Sequence, residues 1–147
     1  MVGSLIVMKL TSVASFIDSN ILVYAEASDE PAKQRRALQL LHKLKVSGQG
    51  VISTQVLQEF ANVALRKLHL SAQHVRLQLQ AHQGFEVVQV TASVIHAALD
   101  LHQTRSVSFY DALILAAAQQ AGCDSLYSED FNTGEVIVGI KVINPFL

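Results

Sequence analysis

Asp18 is a carboxylate set among apolar residues in the stretch FIDSNILVYA. Phe16 and Ile17 precede it directly, and Ile21 and Leu22 follow within one helical turn. An isolated carboxylate beside apolar side chains is disfavoured unless hydrogen bonds or a cation compensate its charge. The pattern therefore indicates either a turn cap or a residue of a site that needs negative charge.

Glu59 has a comparable position in the stretch STQVLQEFANVALRK. On a helical wheel it borders the apolar arc formed by Val56, Phe60 and Val63, so its carboxylate can face a cleft instead of open water. Taken alone, the same pattern also describes an ordinary solvated glutamate on a helix.

Asp111 and Asp130 complete a set of four candidate acids. Asp111 follows Ser108 at the spacing of a capping box, but the helix behind it, DALILAAAQQA, is so apolar that we expect its first turn in the interior. Asp130 follows the strand-like segment SLYS in a turn that leads to Gly134, where aspartate commonly stabilises a turn. The adjacent Glu129 is an alternative to Asp130.

The elements that position these acids alternate between strands and helices. The sequence predicts strands at 12–17, 50–53, 85–90, 125–128 and 142–143, and helices that begin at Pro31, Ser53 or Thr54, Ser71, Thr91 and Ser108. This alternation predicts an α/β fold, a three-layer α/β/α sandwich with a short, mainly parallel central sheet. Ligands of such sheets bind beyond the carboxyl ends of the strands.

Carboxylates gathered at one rim of a sheet repel one another and raise each other's pKa. A bound divalent cation removes that penalty, which gives such a cluster a chemical purpose. Oxygen ligands alone select hard ions such as Mg²⁺ or Mn²⁺. We therefore expect a site of this kind if the four acids converge.

Four segments of the chain resemble, in order and spacing, the PIN domains and, within them, the VapC-type toxins of toxin–antitoxin pairs. The segments are FIDSNILVYA, STQVLQEFANVA, VSFYDALILAAA, and YSEDFNTG followed by VINPF. The resemblance covers residues 12–147. It implies a PIN-like fold and a metal-dependent endoribonuclease that cleaves RNA phosphodiester bonds.

The resemblance also implies roles for individual residues. The family's catalytic and metal-binding acids correspond to Asp18, Glu59, Asp111 and Asp130, with Mg²⁺ or Mn²⁺ as the cofactor. The family's polar residue two places after the first acid corresponds to Asn20. Further supporting donors are expected at Ser128 and Asn132. The implied partners are an RNA substrate, a small antitoxin-like inhibitor protein and a second copy of the chain in a homodimer.

A catalytically silent PIN-like binding module, acting through a protein or RNA partner, is the main alternative. A phosphate-transfer domain with an aspartyl nucleophile is disfavoured because Asn20 stands where the D-x-D motif needs its second acid. The P-loop motif G-x-x-x-x-G-K-[ST] is absent. No H-E-x-x-H motif occurs among the six histidines, so zinc chemistry is disfavoured.

The formal net charge of −1 gives no global basic field, but without the four candidate acids it would be +3. Eight basic residues are therefore candidates for phosphate contacts: Lys33, Arg35, Arg36, Lys43, Lys45, Arg66, Lys67 and Arg105. Three aromatic residues are candidates either for stacking on bases or for core and dimer contacts: Tyr24, Phe109 and Tyr110.

The length of 147 residues predicts one domain, which we place at 12–147. Residues 1–11 are expected to be an N-terminal extension or the start of the first strand, and Met8 is an alternative natural start. The single cysteine, Cys123, forms no internal disulfide and is expected in the core. Together with the absence of an apolar stretch long enough to span a membrane, this predicts a cytoplasmic protein.

Overall fold

Six β-strands form one sheet in the computed structural model, which describes residues 13–147. The strands are β1 (Ala14–Ile17), β2 (Gly50–Ser53), β3 (Glu86–Val88), β4 (Cys123–Tyr127), β5 (Val136–Ile137) and β6 (Ile140–Ile143). Their order in the sheet is β3-β2-β1-β4-β6-β5, and all neighbouring pairs are parallel except β5 with β6. The predicted α/β fold with a mainly parallel sheet is confirmed.

Six helices connect the strands and flank the sheet. They are α1 (Ser19–Tyr24), α2 (Pro31–Ser47), α3 (Thr54–Arg66), α4 (Ala72–His82), α5 (Ala92–Thr104) and α6 (Phe109–Gln120). The chain runs outward from β1 through β2 to β3 and then returns to β4 on the other side of β1. Because parallel connections are right-handed, this reversal places α2–α4 and α5–α6 on opposite faces. Among these helices, none is long and apolar enough to cross a membrane.

Side-chain caps set the starts of four helices where the sequence predicts them. The hydroxyls of Ser53, Ser71, Thr91 and Ser108 each accept a hydrogen bond from the backbone N–H three residues later. Gly48 ends α2 in the left-handed conformation, with a φ of 71°. These local signals are strong because each satisfies backbone groups that the helix itself leaves unpaired.

Other boundaries differ from the sequence prediction. The third strand is shorter than 85–90, and the strands near 125 and 142 begin earlier, at Cys123 and Ile140. The short α1 and the two-residue β5 were not predicted, because neither is long enough to show a periodic pattern. The predicted start of β1 at Ser12 and the proposed extension at 1–11 lie outside the described residues.

Gly50 marks a close approach between β2 and a buried aromatic ring. A Cβ atom at this position would lie 2.5 and 2.7 Å from Cδ1 and Cε1 of Phe85, and 3.3 Å from Cδ1 of Ile17. Phe85 is only 6% exposed, so its ring has little room to move away. The packing of this end of the sheet therefore requires glycine.

We predict that Gly50→Ala lowers the free energy of unfolding by about 1–3 kcal/mol, the usual cost of overpacking a core. Chemical denaturation followed by circular dichroism measures it. In a Phe85→Leu background the same substitution should cost distinctly less, because the clashing ring atoms are gone. An equal cost in both backgrounds would contradict the assignment of the clash to Phe85.

Candidate functional site

Asp18 lies at the junction of the two central strands. Ile17 pairs with Tyr127, so the next residues, Asp18 and Ser128, meet beyond the carboxyl ends of β1 and β4. The Asp18 backbone N–H donates to the Tyr127 carbonyl at 3.0 Å, and the Ser128 hydroxyl donates to Asp18 Oδ2 at 2.7 Å. The sheet reverses its winding at this junction, which is the usual ligand position in such folds.

The Asp18 carboxylate is buried, with only 5% of the residue exposed. Burial raises its pKa from 3.8 to about 6, although hydrogen bonds from Ser128 and from the Ser19 backbone oppose the shift. The negative charges of Glu59 and Asp130 raise the pKa further. Asp18 also caps α1, because its Oδ1 accepts the Ser19 N–H at 2.7 Å. The predicted turn cap is therefore present, and it is made by a carboxylate that is also buried near two other acids.

Asn20 links Asp18 to Asp130. Its amide nitrogen donates to Asp130 Oδ2 at 3.2 Å and lies 3.4 Å from both Asp18 Oδ2 and the Ser128 hydroxyl. Its amide oxygen accepts the Glu129 backbone N–H at 3.2 Å, which fixes the orientation of the amide. Asp130 is exposed and, as predicted, follows the strand β4 in a turn.

Glu59 is tied to the same rim through Ser19. The Ser19 hydroxyl donates to Glu59 Oε2 at 2.8 Å, and the amide of Gln55 donates to Glu59 Oε1 at 2.7 Å. Glu59 faces a cleft as the sequence predicts. Gln55, a buried polar residue one turn earlier on α3, was not anticipated because a glutamine carries no sequence pattern for such a role.

Asp111 lies in the first turn of α6, where its backbone N–H donates to the Ser108 hydroxyl at 3.1 Å. The expectation that this turn lies in the interior is wrong: Ser108 and Tyr110 are exposed and Asp111 is half-buried. The preceding loop approaches the helix from solvent, and the fully buried segment of α6 begins only at Ala112. Among residues 13–147, the Asp111 carboxylate has no hydrogen-bonding or ion-pair partner.

Three of the four acids, Asp18, Glu59 and Asp130, thus share one rim through Ser19 and Asn20. In the described part of the chain, no three His, Cys, Asp or Glu side chains converge tightly enough to hold an ion as they stand. The donor set is nevertheless oxygen-only and includes the buried Asp18 carboxylate, which forms no ion pair with a cation of residues 13–147. This is the chemistry that a hard dication requires. The residues therefore fit Mg²⁺ or Mn²⁺ in type, and the present hydrogen bonds would have to yield to the ion.

A family model described as PIN domain matches residues 15–136. This chain belongs to the PIN domain family. The match spans the elements from β1 to the start of β5 and includes all four candidate acids. The PIN-like fold that the sequence resemblance implied is therefore confirmed.

Solved structures share this fold. A toxin–antitoxin complex from Klebsiella pneumoniae is 26% identical, with a TM-score of 0.66, and the alignment covers 90% of this chain and 98% of the other. VapC20 from Mycobacterium tuberculosis, described as a sarcin-ricin loop cleaving toxin, is 20% identical, with a TM-score of 0.57 and coverage of 80% and 90%. VapBC2 from Rickettsia felis, bound to a DNA fragment from its promoter, is 18% identical, with a TM-score of 0.65 and coverage of 88% and 97%. No curated protein sequence matches the chain.

Glu129, the alternative to Asp130 in this PIN domain, is paired with a lysine. The Lys33 ammonium lies 2.5 Å from Glu129 Oε1 and 3.1 Å from the Tyr24 hydroxyl. Burial acts to raise the pKa of Glu129, but the hydrogen bonds from Lys33 and Tyr24 lower it below its ordinary value. The Tyr24 ring in turn packs edge-on against Phe146, with centroids 4.9 Å apart.

A cleft of about 560 Å³ adjoins the acids in the PIN domain and includes one of the predicted phosphate contacts, Lys67. Arg36 donates to the carbonyls of Pro145 and Leu147, and Lys45 lies 5.4 Å from the centre of the Phe85 ring. Of these three cations, only Lys67 borders the cleft of the candidate site. The side chain of Asn132, an expected supporting donor, makes no hydrogen bond to the acids in the described residues.

Cys123 and His82 are both buried and lie outside the rim of acids. Burial raises the pKa of the Cys123 thiol to about 12, which agrees with its expected place in the core. Burial also lowers the pKa of His82 to about 4. The buried His82 ring packs edge-on against Phe60.

The raised pKa of Asp18 predicts a specific dependence of stability on pH. Between pH 4 and 6 the folded protein retains a proton on Asp18 that the unfolded chain has lost, so stability falls as the pH rises. The shift of the Asp18 pKa to about 6 corresponds to on the order of 2–3 kcal/mol in the free energy of unfolding. The protein loses this amount of stability as the pH rises from 4 to above 6. Denaturation in EDTA at pH 4.5 and 7.5 measures this, and the difference should shrink in Asp18→Asn.

Asp100→Asn is the matched control, because Asp100 is an exposed aspartate on α5. Its free energy of unfolding should depend on pH in the same way as that of the unmodified protein. An unchanged pH dependence in Asp18→Asn would show that other groups determine it.

Proposed function

We propose that this PIN domain is a Mg²⁺- or Mn²⁺-dependent endoribonuclease that serves as the toxin of a toxin–antitoxin pair. The observation that carries the proposal is the buried Asp18 carboxylate at the β1–β4 junction, with Glu59 and Asp130 held on the same rim. The toxin–antitoxin complex from Klebsiella pneumoniae and VapC20, described as a sarcin-ricin loop cleaving toxin, are both similar in fold and support it.

The proposed ligands are Asp18, Asp111 and Asp130, and Glu59 either binds a second ion or orients the attacking water. When bound, the ion supplies positive charge that makes water more acidic and stabilises charge developing on the phosphate. Ser19 and Gln55 hold both oxygens of Glu59, so its carboxylate is placed before the substrate arrives.

Cleavage is an in-line displacement at phosphorus. Water forms the new phosphorus–oxygen bond and gives up a proton, for which Glu59 is the proposed acceptor. The bond to the 3′ oxygen breaks, and that oxygen takes a proton from solvent. The expected products therefore carry a 5′-phosphate and a 3′-hydroxyl.

The partners belong to the same proposal. Two of the similar structures contain a toxin with its antitoxin or a VapB–VapC pair, which supports a small inhibitory protein as partner of this chain. The homodimer, the RNA substrate and the cytoplasmic location remain predictions from the sequence.

A catalytically silent binding module is the second candidate. It is favoured by one observation: Asp111 is not joined to the other acids, and no three acidic or histidine side chains within residues 13–147 converge on an ion position. Such a module would keep its fold and its partner without cleaving RNA, and metal would neither stabilise nor activate it.

We predict that the protein cleaves mixed cellular RNA when Mn²⁺ or Mg²⁺ is present and that EDTA abolishes cleavage. Asp18→Asn should reduce the rate at least about a hundredfold while the fold is kept, because the variant loses the central anionic ligand. Gel analysis and mapping of the cut ends measure the rate and the end chemistry.

Asp124→Asn is the matched control, since Asp124 is an exposed aspartate on β4, and it should cleave at the parent rate. A folded Asp18→Asn variant that cleaves at full rate would count decisively against the site. Absence of any metal-dependent cleavage or stabilisation in the parent protein would favour the silent module.

We further predict that Lys67→Ala weakens RNA binding by a fewfold and lowers the salt dependence of binding by about one unit, as expected for loss of one phosphate contact. Binding isotherms at several salt concentrations measure both. Lys141→Ala, which removes an exposed lysine from β6, should leave the salt dependence unchanged. If both variants behave alike, the cleft beside Lys67 is not the path of the RNA backbone.

A further inference from the structure

Tyr110 is an aromatic ring that the fold leaves in solvent beside the candidate acids. It is 67% exposed, although its neighbours in the first turn of α6, Phe109 and Asp111, are half-buried. The aromatic ring of Tyr24, by contrast, is already used, since its hydroxyl accepts from Lys33 and its ring packs on Phe146.

The position of Tyr110 is fixed from two sides. The Phe109 ring lies 5.6 Å away, centre to centre, at an interplanar angle of 65°. The Tyr110 carbonyl accepts a hydrogen bond at 3.3 Å from the Gln55 amide, which also donates to Glu59 Oε1. Gln55 is only 6% exposed, so one buried amide sets both the Tyr110 backbone and the Glu59 carboxylate.

Tyr110 also lines a cleft that continues into the candidate site. Tyr110 lines an open depression of about 440 Å³ together with Gln58, Glu59 and Asn62. Glu59 and Asn62 are shared with the larger cleft that contains Asp130 and Lys67. The two clefts therefore share the part of α3 that carries Glu59 and Asn62, and the exposed Tyr110 ring belongs to the smaller one.

We propose that Tyr110 forms a stacking subsite for one unpaired base of an RNA strand that is cleaved at the rim of acids. This rests on the proposed function, because it takes the rim of acids as the place of cleavage. Every base has a π-face that can stack on tyrosine, whereas a base inside a duplex has both faces covered. The amides of Gln58 and Asn62 lie in the same cleft and can hydrogen-bond to the base edge. The subsite therefore takes a base that is unpaired when it binds.

The test measures binding in an Asp18→Asn background with Mg²⁺, so that cleavage does not interfere. The probes are a labelled, unstructured RNA of about 12 nucleotides and the corresponding duplex, followed by fluorescence anisotropy. Adding Tyr110→Ala should weaken single-strand binding roughly five- to a hundredfold, the range for loss of one stacked base. Tyr110→Phe in the same background should bind the single strand with an affinity within about twofold of that of the Asp18→Asn protein. Leu77→Ala, at an exposed apolar position on α4, should bind like the parent.

Tyr110→Trp provides a second test, in which the fluorescence of the substituted side chain is measured instead of the affinity. The chain contains no tryptophan, so the new indole would be the sole tryptophan emitter. Its emission should be quenched by the single strand and much less by the duplex.

Three results would overturn the subsite. They are parent-like binding by Tyr110→Ala, equal loss of single-strand and duplex binding, and a change in oligomeric mass in Tyr110→Ala, which would assign the ring to a contact between copies. Metal-dependent cleavage by the unmodified protein is a separate test, and it tests the proposed nuclease function. Cleavage without Tyr110-dependent binding refutes only the subsite, whereas Tyr110-dependent binding without cleavage refutes only the nuclease.

Discussion

The burial of one ionised carboxylate at the centre of the sheet is the constraint on which the site depends. Asp18 emerges between β1 and β4, where the strand register brings it against Ser128 and away from water. Burial of the charge costs free energy, and the fold compensates it only in part with hydrogen bonds from neutral donors. A residue held at such a cost is more readily explained by function than by folding.

Helix α3 connects this central acid to the rest of the rim. Gln55, Glu59 and Asn62 follow one another at spacings of four and three, so they lie on one face of the helix. Glu59 reaches Ser19, next to Asp18, while Gln55 reaches the backbone of α6. One helical face thus ties the β1 end to the start of the helix that carries Asp111. A shift of α3 along its axis would therefore disturb several candidate residues together.

The sequence was informative where a local signal has a physical cause. The caps at Ser53, Ser71, Thr91 and Ser108 and the glycine stop at Gly48 were predictable because they satisfy backbone groups within a few residues. The alternation of strands and helices predicted the fold, and strand ends predicted the rim shared by Asp18 and Asp130. The exposure of the first turn of α6 was missed, because apolar composition reports the average burial of a helix and not that of its ends.

Contacts between distant segments were equally out of reach of the sequence. Ser19 to Glu59 spans 40 positions, Gln55 to Tyr110 spans 55, and Lys33 to Glu129 spans 96. Each involves a common polar residue whose role is decided by the partner and not by its own surroundings in the chain. The resemblance to PIN domains named the acids and pointed to Asn20 and Ser128 beside Asp18, but it did not point to Ser19 and Gln55, which hold Glu59.

The charge of the hydrogen-bond donors around the Asp18 carboxylate matters as much for its electrostatics as their number. The Ser19 backbone, the Ser128 hydroxyl and the Asn20 amide are all neutral, so they orient the carboxylate without cancelling its charge. A lysine or arginine in any of these places would form an ion pair and compete with a metal ion for the same oxygens. The ammonium of Lys33 is instead directed to Glu129, the residue between Ser128 and Asp130. Within residues 13–147, the Asp18 carboxylate therefore has hydrogen-bond donors but no cationic side chain as its ion-pair partner.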